Sequence, residues 1–351
     1  MRQSMGRWYS GALVLGLCMA AAVPPAPCWG RQADLPAAQS ADQSGQKKLT
    51  QLIRQGLVDF RAARGDTARR VKAVVALVAL GPEGVAAVDD LFRGELGRLG
   101  KAVGEGSPTA ELDAKVAELR KKLAELRADP NLSKEQLHET GLPALDELTA
   151  VWQQREAALE AYYLKLSKVR EQIAGMVELL KVLKNESAAG ALDLADRLSE
   201  AEALLAKATK PEDPDARRIL EENVKLAAEI DPKEVAGMQA LNAMRIMCGL
   251  RPLLYDPKLC NAARDHSKDM EQKGFFSHES PVPGKTTFAD RAKLAGTTAS
   301  GENIYMGSGS PVDAMKGWFL SPGHHKNMLN DSNTRQGLGR VGRHWTQMFG
   351  H

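Results

Sequence analysis

The sequence predicts an α+β protein in which a long all-α region precedes a C-terminal domain of helices and strands. Ala, Leu, Glu, Lys and Arg dominate the middle of the 351-residue chain, and aromatic residues make up only 5% of it. This composition favours helices over sheet. Near the C-terminus, two strand-like runs, Gln336 to Val341 and His344 to Phe349, flank Gly342-Arg343, which predicts a tight hairpin.

Residues 1–30 have the pattern of a secretory signal peptide. Arg2 and Arg7 precede an apolar run from Gly11 to Val23, and prolines and small residues follow it. The run is short for a membrane span, so we expect export and cleavage. An uncleaved N-terminal membrane anchor is the alternative. Residues 31–47 are rich in Gln, Ala, Ser, Asp and Gly, which predicts a disordered tether.

Residues 48–234 show the periodicity of helices. Apolar residues alternate in steps of three and four from Leu112 to Leu126, and again from Leu145 to Leu183, where Arg155 is the only charged residue at the spaced positions. Sustained heptads predict coiled coil. The two segments could fold back as an antiparallel hairpin or pair between two chains as a homo-oligomer. We interpret the region as a spacer that holds the C-terminal domain away from a surface.

The cysteines predict one disulfide. Cys18 and Cys28 lie in the predicted signal peptide, so Cys248 and Cys260 would remain in the exported chain. In an oxidising compartment such a pair is expected to form a bridge. The alternative is two buried free thiols, because free cysteine packs as a small apolar residue.

The histidines point to a polar site in the last third of the chain. Six of the seven lie at position 266 or later. His266 shares an apolar helical face with Leu259 and Met270, so we expect it to be structural. His278 follows two phenylalanines in a loop, where binding residues are common. Four short motifs follow one another here: Phe275-Phe276-Ser277-His278, Gly301-Glu302-Asn303-Ile304, Ser321-Pro322-Gly323-His324 and His344-Trp345-Thr346-Gln347.

These motifs, in this order, resemble the CAP superfamily (cysteine-rich secretory proteins, antigen 5 and pathogenesis-related 1), also called the SCP domain, and its bacterial branch in particular. The resemblance covers residues 235–351. Further matching positions are Leu241-Asn242, Arg245, Gly249 to Leu253, Asp256 and Ala263 to Ser267. The resemblance implies an α-β-α sandwich, so we expect an all-α coiled-coil or helical-bundle region followed by a CAP/SCP-like sandwich.

The resemblance also implies a cleft. In animal and plant members the cleft holds two histidines and two glutamates, and His278, Glu302 and His344 match three of these. This chain has Ser321 at the position of the second glutamate, while His324 matches a histidine typical of bacterial members. We therefore expect His278, Glu302, His324 and His344 to converge.

Three imidazoles and one carboxylate have the chemistry of a divalent metal site. We expect His278, Glu302 and His344 to be ligands of Zn²⁺ or another divalent metal, with His324 as the alternative to Glu302 and a bound water in an open position. Binding should fail below about pH 6, where histidines protonate. No serine or cysteine nucleophile with a suitably spaced base stands out, and no residue is assigned as catalytic.

Three functions remain open. The first is a binding or scaffolding module that is secreted or resides in the periplasm or cell envelope. The resemblance implies an extracytoplasmic ligand such as a lipid or another envelope component. The second is a metal-dependent hydrolase, protease-like or esterase-like, that uses the same cleft. The third is a structural coiled-coil protein with an inert CAP head. The net charge of +3 is small and gives no reason to expect nucleic-acid binding.

Overall fold

The computed structural model of the protein describes residues 41–351. The predicted signal peptide, residues 1–30, lies outside the described residues, and so does the first part of the predicted tether. Residues 41–47, also predicted as tether, instead begin a helix, because Ala, Gln and Lys are good helix formers. Within residues 41–351, none of the helices combines the length and apolar character that a membrane span requires.

The helices and strands are described in chain order. The α-helices are α1 Ala41–Ala62, α2 Thr67–Val78, α3 Pro82–Val103, α4 Ala110–Ala128, α5 Lys134–Gln136, α6 Leu142–Lys165, α7 Ser167–Lys184, α8 Ala195–Lys207, α9 Pro214–Leu226, α10 Pro232–Met247, α11 Pro257–Lys273, α12 Phe288–Leu294, α13 Pro311–Phe319 and α14 Pro322–Met328. A π-helical turn, Leu137–Gly141, joins α5 to α6. The strands are β1 Leu254–Tyr255, β2 Gly301–Met306, β3 Arg335–Val341 and β4 His344–Gly350.

The described residues divide into two compact units. The helical unit comprises residues 41–108 and Ala158–Pro211, and the mixed unit comprises Thr109–Ala157 and Glu212–His351. All four strands belong to the mixed unit. The mixed unit is therefore larger than the predicted C-terminal domain, 235–351, because it also takes in residues 109–157 and 212–234.

The helical unit has an apolar core. Its buried residues come from α2, α3, α7 and neighbouring segments and include Val74, Phe92, Leu96 and Leu180. The predicted stop at Gly81-Pro82 separates α2 from α3: Gly81 has φ of 88°, and Pro82 occupies the first turn of α3, a position that tolerates its missing N–H. Local sequence therefore fixes the ends of these helices.

The heptad residues lie in the cores of both units. Leu119 and Leu145 are buried in the core of the mixed unit, whereas Ile173 and Leu180 are buried in that of the helical unit. A turn at Leu166 separates α6 from α7. An apolar stripe forms whether its partner is another coiled-coil helix or a globular core, so here the predicted coiled-coil pattern corresponds to packing within one chain.

The sheet of the mixed unit has the strand order β1-β3-β4-β2. β1 pairs with β3 in parallel, and the other neighbours are antiparallel. The predicted C-terminal hairpin is confirmed as β3 and β4. Gly342 lies between them with φ of 58°, in the left-handed region that favours glycine.

Helices cover both faces of this sheet, which confirms the α-β-α sandwich. Leu338, Trp345 and Phe349 join the core formed with α10 and α13. On the other face, Met348 packs with α11 and α12. A Cβ atom on Gly339 would lie 1.9 Å from the backbone nitrogen of Arg264, so glycine in β3 allows α11 to lie directly on the sheet.

Helix α4 is an integral part of the mixed unit. Its apolar residues Val116, Leu119 and Leu123 extend the core that α10 and the sheet share. Its arginines bind free carbonyls near the C-terminal ends of other helices. Arg120 Nε donates to Met247 O at 2.7 Å, and Arg127 Nη1 donates to Leu329 O at 2.9 Å.

The predicted disulfide between Cys248 and Cys260 is wrong, because both residues are free thiols in the structure. Cys260 Sγ lies 4.0 Å from Met238 Sδ. Met238 lies within α10, and Cys248 follows the C-terminal end of the same helix, ten residues later, which corresponds to about 15 Å of helix. The two sulfurs therefore lie too far apart for a bridge. Burial raises the pKa of each thiol to about 12, which disfavours the reactive thiolate, although Cys260 is buried and Cys248 is partly exposed.

Candidate functional site

Glu302 lies at the centre of the candidate site. It belongs to β2, and its side chain is only 1% exposed. One carboxylate oxygen, Oε1, lies 3.0 Å from His278 Nδ1. The other, Oε2, accepts a hydrogen bond of 2.6 Å from Arg291 Nη2. The carboxylate therefore joins the loop that carries His278 to the helix that carries Arg291.

The side chain of Arg291 holds the loop that carries His278 through hydrogen bonds to backbone carbonyls of the loop. Its side chain is 0% exposed. Nη2 donates to His278 O at 3.0 Å, and Nη1 donates to Lys285 O at 2.8 Å and Thr286 O at 3.2 Å. From α11, Asp269 adds an ion pair of 3.1 Å with Lys285 Nζ. The loop is thus fixed at both ends by side chains from two helices.

His278 and His324 lie side by side. Their ring centroids are 5.8 Å apart. The side chain of His278 is 49% exposed, and its Nδ1 is bound to Glu302. His324 is half-buried, and burial lowers its pKa to about 4; His278 acts in the same direction, and Glu302 opposes it. Both the loop after Phe276 and the Ser-Pro-Gly-His motif thus contribute an imidazole to one cluster.

The asparagines of the motifs position His324. Asn303 Nδ2 donates to His324 O and to Gln347 Oε1, both at 3.3 Å. Asn327 Nδ2 donates to Asn303 Oδ1 at 2.9 Å and to Glu302 O at 3.2 Å. The amides therefore link β2, β4 and α14, which explains why Asn and Gln accompany the histidines in these motifs.

His344 has a different carboxylate partner from the other predicted site residues. Its Nδ1 lies 2.6 Å from Glu271 Oε2, and its ring centroid is 6.2 Å from that of Phe276. In the β2–β4 ladder His344 pairs with Met306, four positions from Glu302, or about 13 Å along a strand. The hydrogen bond from His344 is the main cause that lowers the pKa of Glu271.

The predicted four-residue cleft thus divides into two groups. The structure brings His278, Glu302 and His324 together, and it places His344 with Glu271. Across residues 41–351, no three His, Cys, Asp or Glu side chains are arranged to hold a metal ion. Within these residues, His278, Glu302 and His344, the predicted ligand set, therefore do not form such a group.

His266 is structural, as predicted. It is fully buried on α11, and its Nε2 lies 3.0 Å from Ser277 O. Burial lowers its pKa below the ordinary value. The bond anchors the residue that precedes His278, so His266 supports the loop without reaching the candidate site.

Sequence reasoning missed Arg291 and Glu271. Arg291 stands on the apolar face of α12 beside the buried Ala292, and an arginine among apolar residues was the available signal for a buried charge. Glu271 carried no such signal, because its position in the last turns of α11 is typical of a solvated residue. Only the packing of α11 against β3 and β4 identifies it as the partner of His344.

Comparison with known proteins identifies the C-terminal segment. Residues 238–349 match the Cysteine-rich secretory protein family (CAP). The chain is 40% identical over 116 residues to "Uncharacterized protein YkwD" of Bacillus subtilis, covering 32% of this chain and 44% of that protein. It is 32% identical over 108 residues to "Uncharacterized membrane protein YlbC" of the same organism, covering 31% of each chain.

Among solved structures, the chain is similar to an extracellular protein containing a SCP domain from Bacillus anthracis. The identity is 32%, the TM-score is 0.32, and the match covers 40% of this chain and 44% of that one. The chain spans less than half the length of these relatives.

Proposed function

Residues 238–349 are a CAP domain, and we propose that this domain is a binding module that works outside the cytoplasm. The proposed location rests on Arg2, Arg7 and the apolar run over residues 11–23, which are typical of exported proteins. The proposed ligand is an extracytoplasmic molecule, such as a component of the cell envelope.

The orientation of His278 by a buried carboxylate carries this proposal. With Nδ1 bound to Glu302, the ring presents its other nitrogen, Nε2, from a side chain that is half exposed. The pKa of the neighbouring His324 is lowered to about 4 by burial, so that ring is neutral near pH 7. Imidazole nitrogens that carry a lone pair accept hydrogen bonds and coordinate borderline cations such as Zn²⁺.

Zinc is the metal that this donor set suits best, and the fit is partial. His278 and His324 offer two nitrogen donors, and the contact of His278 Nδ1 with a carboxylate resembles the support that metal-binding histidines usually have. A hydrolytic zinc centre takes three protein ligands, and three such donors are not assembled in the described residues. The cleft therefore supports reversible binding better than hydrolysis, and we propose no hydrolytic step.

Calorimetric titration of the full-length protein with Zn²⁺ near pH 7.5 tests the proposal. We expect modest binding by the wild type, loss of most of it in His278→Ala and His324→Ala, and little change in His344→Ala. His138→Ala is the matched control, because His138 is an exposed histidine of the π-helical turn.

Each other outcome would contradict the proposal. Equal binding by wild type and His278→Ala would place the metal elsewhere. Loss of binding in His344→Ala would restore the three-ligand set predicted from sequence. No binding by the wild type would show that the two imidazoles do not act together as donors.

A further inference from the structure

We infer that Arg291 is the positioning residue of the site and that it fixes His278 as the tautomer with its hydrogen on Nδ1. Arg291 is completely buried on α12. Its guanidinium contacts Glu302, which binds the ring of His278, and also the backbone carbonyl of His278. One side chain therefore controls both the position and the chemical form of the imidazole.

The charge of Arg291 determines which nitrogen of His278 carries the hydrogen. A guanidinium offers only donors, and Arg291 forms a buried ion pair of 2.6 Å with Glu302. An ionised carboxylate only accepts hydrogen bonds. His278 Nδ1, 3.0 Å from Glu302 Oε1, must therefore donate. A neutral imidazole has a single N–H, so Nε2 carries the lone pair.

The shape of Arg291 fixes the backbone of the same loop. Besides Glu302, its two terminal nitrogens reach the carbonyls of His278, Lys285 and Thr286 at 3.0, 2.8 and 3.2 Å. A lysine offers a charge of the same sign but no planar fork of donors. Charge and shape can therefore be separated by substitution.

Removing Arg291 would change the chemistry that His278 presents. Glu302 would lose its buried counter-ion, and the loop carbonyls would lose their donors. The ring would then leave Glu302 and adopt the tautomer balance of free imidazole side chains, in which the Nε2–H form is the major one. The inference rests on the proposed function in one respect, namely that the Nε2 lone pair binds a ligand. The geometry that fixes the tautomer does not depend on any ligand.

Nuclear magnetic resonance of the full-length protein labelled with ¹⁵N-histidine, without ligand, tests the inference. Multiple-bond correlations distinguish the two neutral tautomers above pH 7. We expect the Nδ1–H pattern for His278. The protein contains its own standards: His266 Nε2 faces Ser277 O, so it should show the Nε2–H pattern, and His325 Nδ1 faces Phe319 O, so it should show the Nδ1–H pattern.

Two substitutions separate the contributions of charge and shape. In Arg291→Met, the Nε2–H form of His278 should become the major one. In Arg291→Lys, the Nδ1–H form should persist, while amide exchange across residues 277–286 rises about tenfold or more, the effect expected for losing one hydrogen bond to a charged group. Arg335→Met is the matched control, because Arg335 pairs with Asp256 in the same unit and should leave His278 unchanged.

An unchanged His325 signal shows that a variant is folded. The inference is overturned if wild-type His278 shows the Nε2–H pattern, a result that depends on no variant. It is also overturned if a folded Arg291→Met keeps the Nδ1–H pattern. If Arg291→Met does not fold, loss of the Nδ1–H pattern in a folded Arg291→Lys would overturn it instead. If His278 shows the expected tautomer but the protein does not bind zinc, the proposed function is refuted and the inference about Arg291 stands.

Discussion

The two units bury different kinds of side chain. In the described part of the helical unit, the buried residues are apolar, as in Val74, Phe92 and Leu180. The mixed unit buries charged and amide side chains as well, including Arg245, Arg291, Glu302 and Gln336. All seven histidines also lie in residues that belong to the mixed unit. The unit that carries the candidate site is therefore the one whose interior depends on directed hydrogen bonds.

This difference determines how each unit should respond to change. An apolar core tolerates substitutions that keep its volume. A buried polar group is costly when its partner is removed, because the remaining group is left without a hydrogen bond. The comparison predicts that equivalent substitutions cost more in the mixed unit than in the helical unit.

The largest contrast is expected between Arg245→Met and Leu180→Met. The guanidinium of Arg245 donates to the carbonyls of Arg251, Met328 and Asn330 at 2.8–2.9 Å. Its loss should destabilise the mixed unit by about 3–5 kcal/mol, since each buried carbonyl left unpaired costs about 1–3 kcal/mol. Leu180→Met in the apolar core should cost less than about 1.5 kcal/mol.

Native-state hydrogen exchange with mass spectrometry measures both variants, because it reports the stability of each unit separately. The cost of Arg245→Met should appear in amides of the mixed unit and that of Leu180→Met in amides of the helical unit. Equal costs would show that the buried hydrogen bonds of Arg245 do not distinguish the two interiors.

Acid should destabilise the mixed unit selectively. Burial lowers the pKa of His266 and lowers those of His324 and His325 to about 4, from an ordinary 6.5. A base whose folded pKa is depressed binds fewer protons in the folded state. Stability is therefore complete above about pH 6.5 and falls between pH 6.5 and 4, by on the order of 2–3 kcal/mol for the fully buried His325 alone.

Hydrogen exchange at pH 6.5 and pH 4.5, corrected for intrinsic exchange rates, checks this prediction. Protection should fall in the mixed unit and change less in the helical unit, which has no histidine. Burial raises the pKa of Glu234 and that of Asp146, which act in the opposite direction but are two groups against three. Equal acid sensitivity of both units would exclude the buried histidines as the cause.

The sequence predicts best those features that depend on neighbouring residues. The hairpin of β3 and β4, the stop at Gly81-Pro82 and the structural role of His266 follow from alternation, turn residues and an apolar stripe. The resemblance of the motifs then placed His278, Glu302 and His324 in one cluster. Periodicity alone would not have joined residues 46 positions apart.

Features that depend on long-range partners were not predictable in this way. The heptads from Leu145 to Leu183 specify a buried stripe but not its partner, and the stripe is shared between two cores. The sequence around His344 does not specify which carboxylate orients its ring. In the structure that carboxylate belongs to Glu271. Arg120 and Arg127 bind carbonyls more than 120 positions away, and no local pattern specifies such partners.

Substitutions at the N-terminal caps of one helix in each unit should have smaller effects on stability, and the effects should be similar in the two units. In the helical unit Asp66 accepts a hydrogen bond from Arg69 N at 2.9 Å at the start of α2. In the mixed unit Thr287 and Asp290 form a capping box at the start of α12. Asp66→Ala and Thr287→Ala should each cost about 1 kcal/mol. Thr287→Ala should also loosen the His278 loop, because α12 carries Arg291.

Amide exchange over residues 277–286 measures the difference between these two cap variants. It should rise in Thr287→Ala and remain at the wild-type rate in Asp66→Ala. If Thr287→Ala leaves the loop unchanged, Arg291 must be held independently of the first turn of its helix.

The smallest effects should come from surface ion pairs, and here too the units should differ. Lys181 and Glu202 in the helical unit are 3.1 Å apart with side chains 52% and 49% exposed, so Lys181→Gln should cost no more than about 0.5 kcal/mol. Lys285 is less exposed and pairs with both Asp265 and Asp269. Lys285→Gln should cost more, about 1 kcal/mol, and raise amide exchange in its loop, because its two partners tie that loop to α11.

Repeating the stability measurements on both variants in 1 M NaCl tests whether the two effects are electrostatic. Screening should remove what remains of the Lys181 effect but only part of the Lys285 effect. A Lys181→Gln variant that loses as much stability as Lys285→Gln would contradict the view that polar contacts contribute mainly to the mixed unit.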